Sequence, residues 1–283
     1  MKEECPSWTA LRVAMHRAAH QIVDDPKVFN DSLAPLIVSG MSAPESDPAW
    51  PHDHPLLRGL RAFVVARSRY AEDELHNAVK RGVSQYVVLG AGLDTFAYRN
   101  PYPEGTLHVF EVDHPATQIW KRACIGAGGI PIPRTLTFTP IDFESLTLEA
   151  GLSRAGFDKN MSTFFSWLGV TPYLSPDPIF KTLEFVASLP RGSAIVFDYH
   201  ISPSLLDPRE LKVSAILAEH VAREGEPFQT SFDPSFLKNS LSSIGFGQVH
   251  DLDVTAINTR YFDGRLDGLR IVAGLSRLMN ARV

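Results

Sequence analysis

The sequence predicts an α/β protein: a mostly parallel seven-stranded sheet with helices on both faces. Three observations carry this. From Val83 onward, short apolar runs alternate with helical stretches, which is the rhythm of βαβ units. The runs are nearly continuous in apolar residues, as strands covered on both faces must be. The first run ends in Gly90-Ala91-Gly92 and the second in Asp113, the placing of a nucleoside-binding turn and its acidic partner in Rossmann-like folds.

Residues 1–82 read as a helical cap ahead of the sheet. Leu11, Met15, Ala18 and Ile22 recur at helical spacing behind Pro6, and Asp24-Asp25-Pro26 breaks that helix. Pro44, Pro48, Pro51 and Pro55 mark a loop over 42–55. A second helix runs from about Leu57 to Lys80, closed by Arg81 and Gly82.

In the core, 83–283, strands are expected at Gln85–Leu89, His108–Val112, Leu136–Thr139, Thr163–Leu168 and Ser193–Phe197. Helices are expected at Pro115–Ile125 and Pro178–Leu189, the latter with Ile179, Leu183 and Val186 inward. After the fifth strand the rhythm lapses. An inserted segment, 201–232, carries a helix over Pro208–Arg223 and reads as a lid. Asp233–Ile244 is a capped helix, Val249–Ile257 and Arg270–Leu275 are the last two strands, and Tyr261–Gly268 is a tight connection.

Composition narrows the function. With 283 residues, 44% hydrophobic and 21% charged, the chain suits one compact unit. A net charge of −5 supplies no basic face for nucleic acid or an anionic membrane. Cys5 and Cys124 are too few for a disulfide framework or a zinc site. The opening MKEECPSWTA lacks the apolar stretch of a signal peptide, and no run approaches the roughly 18 apolar residues of a membrane helix. A soluble, cytoplasmic protein is expected. His52-Asp53-His54 lacks a third ligand at recognisable spacing, so no metal is expected.

The ligand follows from the turn. In the dinucleotide fingerprint a third glycine packs a helix beneath a pyrophosphate; here that position is Thr95. This disfavours NAD and FAD and favours S-adenosylmethionine, which has no phosphate. An NAD(P)-dependent oxidoreductase is the weaker alternative. A G-x-S-x-G elbow is absent, which disfavours a hydrolase.

Leu89-Gly-Ala-Gly-Leu-Asp-Thr95, with Ala66-Arg67 before it and Phe110-Glu-Val-Asp-His-Pro115 after it, resembles the leucine carboxyl methyltransferase family of class I S-adenosylmethionine-dependent methyltransferases. Ser7-x-Thr9-Ala10, Arg17-Ala-Ala-His20 and Phe165-Ser-Trp-Leu-Gly-Val-Thr-Pro-Tyr-Leu174 resemble its bacterial branch of O-methyltransferases. The resemblance implies S-adenosylmethionine as cofactor and a class I methyltransferase fold. Arg67 would meet the methionyl carboxylate, and Gly90, Ala91 and Gly92 would pass under the methionine and ribose. Asp113 would hold the ribose hydroxyls with Glu111 as helper, Asp142 and Phe143 would bracket the adenine, and Tyr173 and Tyr199 would line the acceptor side.

Asp94 is expected either at the ligand or as a helix cap. His200, after the fifth strand, is the candidate to take a proton from an acceptor hydroxyl. Two departures stand out. Thr9-Ala10 occupies the family's N-terminal lysine position, and Leu168 that of a glutamate after the fourth strand. They point away from a protein C-terminal carboxylate and toward a small-molecule hydroxyl or carboxylate. They also leave a non-catalytic S-adenosylmethionine-binding protein as an alternative. The oligomeric state has no signal in the sequence.

Overall fold

The computed structural model describes residues 7–41, 54–142 and 146–283. Helix α1 (Trp8–Val23) starts where the Ser7 hydroxyl accepts the Ala10 amide. The short α2 (Ala34–Ile37) and the long α3 (Pro55–Lys80) complete the cap. Most of the proline-rich 42–55 loop lies outside the described residues.

The core runs β1 (Gln85–Leu89), β2 (His108–Asp113), α4 (Pro115–Ala127), β3 (Leu136–Pro140), α5 (Leu148–Arg154), β4 (Thr163–Trp167), α6 (Pro176–Ala187) and β5 (Ala194–His200). Then come α7 (Pro208–Arg223), α8 (Pro234–Ile244), β6 (Gln248–Leu252), α9 (Val254–Tyr261) and β7 (Ser276–Arg282). The sheet order is β3-β2-β1-β4-β5-β7-β6, parallel except for β7, which runs antiparallel between β5 and β6. Chain order reverses between β1 and β4, so the carboxyl ends of these strands form the crevice where open α/β sheets bind ligands.

Strand alternation divides the core. Tyr86, Val88, Val109, Phe164 and Val196 pack on the face toward α3 and α9. Val87, Leu89, Phe110, Phe165, Ile195 and Phe197 pack on the face toward α6 and α8, where Ile179, Leu183 and Val186 are fully buried as expected. A third cluster joins Leu11, Ala14 and Ile37 of the cap to Leu93, Cys124 and Ile125.

Two expected strands are corrected. Strand β6 ends at Leu252, and the Asp253 carboxylate accepts the Ala256 amide to start α9, so 254–257 are helical despite their β-branched residues. The last strand is not Arg270–Leu275 but the segment after it. Ser276–Arg282 has little β propensity, yet it pairs along its length with β5 and places Leu278 on one face and Met279 and Ala281 on the other. Helix α5 was not anticipated, and β5 continues three residues beyond its expected end, to His200.

Candidate functional site

The turn after β1 is possible only with glycine at two positions. Gly90 and Gly92 have φ of +64° and +44°. A Cβ on Gly90 would lie 2.3 Å from Val170 Cγ2, and one on Gly92 would lie 3.2 Å from Ala10 Cβ, so the turn is pressed between the β4 tip and α1. Asp113 closes it from β2: the Gly92 amide donates to Oδ2 at 2.6 Å and the His114 amide to Oδ1 at 2.7 Å. Burial pushes the Asp113 carboxyl up, and these two amides oppose that. The Thr117 side chain also hydrogen-bonds this carboxylate, and the lone pairs that remain suit a vicinal diol.

Asp94 has a structural place. Its Oδ1 accepts the Phe96 amide at 2.8 Å, and its Oδ2 lies 3.2 Å from Arg17. After the glycine turn comes only the short 3₁₀ turn Phe96–Tyr98, and no α-helix starts there to receive a pyrophosphate. Thr95 is buried, and its hydroxyl donates to Asp31 at 2.7 Å, tying the turn to the cap.

Glu111 shares a face with Asp113 but lies below the crevice. It is 0% exposed, 2.8 Å from Lys121 Nζ, and faces the Tyr98 hydroxyl at 3.4 Å. Burial pushes its carboxyl up to about 7 against the pull of Lys121. The expected role as a ribose helper is therefore corrected to a buried ion pair beneath the turn. Asp142 follows β3, half-buried, with its carbonyl accepting the Leu146 amide. Phe143 lies outside the described residues.

Arg67, on α3, reaches the tips of β4 and β5. Its Nη1 donates to Asp198 Oδ2 at 2.8 Å, and Asp198 Oδ1 accepts the Gly169 amide at 2.6 Å. A Cβ on Gly169, whose φ is +72°, would lie 2.5 Å from Arg67 Nη2, so glycine makes room for the guanidinium. Asp198 was not singled out in the sequence. Its signal was a lone carboxylate inside the otherwise apolar Ala-Ile-Val-Phe-Asp-Tyr-His run.

Beside this pair opens a cavity of about 190 Å³, lined from α1, α3, α7 and the 271–276 segment. Arg12, His16, Tyr173, His200 and His220 are among its polar walls, and most of the rest is apolar. His200 stands edge-on to Phe228, with ring centroids 4.4 Å apart, and Tyr173 packs on the same ring at 5.3 Å. Burial holds the His200 imidazole down at about 4, with Asp198 partly opposing.

Tyr199 is corrected. It points to the opposite face of β5, fully buried near Phe197 and Phe232, and its hydroxyl donates to Asp251 at 2.9 Å. Strand alternation puts Asp198 and the residues flanking it on opposite faces.

His54 caps α3 by accepting the Leu56 amide; His52 and Asp53 lie outside the described residues. Among the described residues no three His, Cys, Asp or Glu side chains gather as for a metal, and no helix is long and apolar enough to cross a membrane.

A parallel sheet reversing at β1/β4, a glycine turn and a second-strand carboxylate define a Rossmann-like fold of the class I methyltransferase type. Residues 10–187 match the model of the leucine carboxyl methyltransferase family, and the chain belongs to that family. Two relatives carry the name "putative S-adenosyl-L-methionine-dependent methyltransferase". YktD of Bacillus subtilis is 32% identical over 95% of each chain; a Mycobacterium ulcerans protein is 30% identical over 87% of this chain and 84% of its own. A solved structure from Thermobifida fusca, called a "putative methyltransferase", superposes with a TM-score of 0.57 at 16% identity, over 99% of this chain and 95% of that one, and shares the fold.

Proposed function

We propose that this protein is a methyltransferase that uses S-adenosylmethionine to methylate an oxygen of a small-molecule acceptor. Family membership and the names of the relatives support the cofactor and the transfer. One observation carries the rest: Gly169 and Val170 are neighbours, one against Arg67 at the cavity, the other against Gly90 at the turn, so the nucleoside turn and the cavity share a wall.

The residues present fit the cofactor. Asp113 suits the ribose diol, the glycine turn admits a close approach, Arg67 keeps donors beyond the one held by Asp198 for a carboxylate, and nothing demands a phosphate. Asp142 lies at the β3 tip, where the adenine is expected. The cofactor supplies a methyl group already activated on a sulfonium. The chain's part is to orient and dry the acceptor, worth up to roughly 7–11 kcal/mol. His200 takes the acceptor proton, and Tyr173 is wall.

Calorimetric titration with S-adenosylhomocysteine tests the reading. Saturable 1:1 binding is expected, weakened at least a hundredfold in Asp113→Ala. Absence of binding to the native chain defeats the reading.

A further inference from the structure

The acceptor cavity has a size, a charge balance and one unsatisfied acceptor, and together these specify a ligand. An apolar cavity of about 150 Å³ admits benzene. At about 190 Å³, between Phe63, Val213, Leu217, Phe228, Ile271 and Leu275, this one suits a single ring with a few added carbons.

Its two guanidiniums are already matched. Arg67 is shared between Asp198 and the cofactor carboxylate proposed above, and Arg12 is paired with Glu224, whose side chain is 3% exposed. His16 and His220 also line the cavity, and neither is without a partner. Among the described lining residues no uncommitted cation meets a carboxylate that enters here, and it becomes an unpaired buried anion. A hydroxyl needs only one acceptor. His200 offers it: no described residue hydrogen-bonds its ring nitrogens, and Phe228 fixes the ring plane.

We propose that the acceptor is an uncharged, ring-sized hydroxyl compound of the phenol class, and that the Arg67–Asp198 and Arg12–Glu224 pairs exclude carboxylates from this cavity. This rests on the methyl transfer proposed above. In the step, a lone pair of the acceptor oxygen forms the new O–C bond to the methyl carbon. The C–S bond breaks with its electron pair going to sulfur, and the hydroxyl proton passes to His200. Positive charge moves from sulfonium to imidazolium, so charge is conserved. His200 is neutral at pH 7 and free to receive that proton. An oxygen that has just gained a carbon is far more acidic than imidazolium, so the transfer runs downhill.

The test uses the full chain saturated with S-adenosylhomocysteine and titrated at pH 7.5 with 4-ethylphenol or 4-ethylbenzoate. The phenol is expected to bind at least tenfold more tightly. In Asp198→Asn, Arg67 loses its carboxylate while the Gly169 amide keeps an acceptor, and the preference is expected to shift at least tenfold toward the benzoate. Glu224→Gln should shift it the same way from the opposite wall, so the outcome does not depend on one variant folding. Tighter binding of the benzoate to the native chain, binding of neither ligand at millimolar concentration, or an unchanged preference in both variants overturns the proposal. Native protein that binds S-adenosylhomocysteine but prefers the benzoate defeats only this inference; protein that fails to bind S-adenosylhomocysteine defeats the transfer as well.

Discussion

Glu111 and Lys121 tie the stability of this fold to pH. Glu111 is raised from 4.5 to about 7 by burial, with Lys121 restraining it. A carboxyl whose folded pKa is raised stabilises fully below its unfolded value, and that contribution is lost as pH climbs through the folded value. Removing Lys121 raises the folded pKa further. The difference in stability between Lys121→Met and the native chain should therefore be constant at pH 5–6, where Glu111 is protonated in both. Above pH 7 the variant should lose ground by up to about 1.4 kcal/mol per pH unit, and the slope should vanish in Glu111→Gln/Lys121→Met. Urea melts at pH 6, 7.5 and 9 measure this; a pH-independent difference refutes it. At this scale the sequence was only partly legible. Strand spacing put Asp113 at a tip because a residue's register along β2 is local information. The same spacing placed Glu111 beside it, and only the position of Lys121 on α4 shows that the carboxylate is held below the crevice. Asp198 and Tyr199 differ by one residue and by which face of β5 they occupy, so locating them required the true length of the strand.

Helix α7 lines the cavity and is held by few buried contacts. Val221 is its only buried residue, Leu211 and Ile216 are exposed, and Val213, Leu217 and His220 face the cavity. Past its end, Glu224 pairs with Arg12, and the Glu226 carboxylate accepts the Thr9 amide at 3.2 Å, fastening the segment to α1. Such an element opens locally at low cost. We propose that 201–232 is the lid, held shut by these contacts. Glu224→Ala should raise tryptic cleavage after Arg209, Lys212 and Arg223 about tenfold, the effect of roughly 1.4 kcal/mol on a local opening, while the thermal midpoint moves little. Equal cleavage rules out the fastening. The bounds of α8 were legible because Asp233 caps it and proline follows the cap; α7 starts in the same way at Asp207-Pro208. Strand β7 was not legible, because Ser276–Arg282 is a strand by virtue of its two neighbours rather than its composition. The more apolar 270–275 run, taken for a strand, instead lines the cavity.

Shared charges tie the cap to the sheet. Arg17 of α1 donates to the Leu93 carbonyl at 2.6 Å and lies 3.2 Å from both Asp31 and Asp94. Arg99 reaches back to Glu72 and Asp31, Tyr261 donates to Asp73 at 2.9 Å, and Asn280 of β7 donates to Glu74. Arg17 and Asp31 are fully buried, so removing one of that pair leaves an uncompensated charge and costs about 3–5 kcal/mol. We therefore propose that 1–82 has no stability apart from 83–283, although the hydrophobic pattern changes at Val83. The chain should unfold in one cooperative transition, with far-UV dichroism and tryptophan fluorescence coincident. S-adenosylhomocysteine at a hundred times its Kd should stabilise both signals equally, by about 2.7 kcal/mol, or roughly 5–10 °C for a chain of this size. Arg17→Met should lower both together. If the cap were an independent domain, the signals would separate, and the ligand would shift only the phase containing Asp113. A single transition that moves as a whole means that ligand bound at the glycine turn also stabilises α1 and α3, which line the cavity.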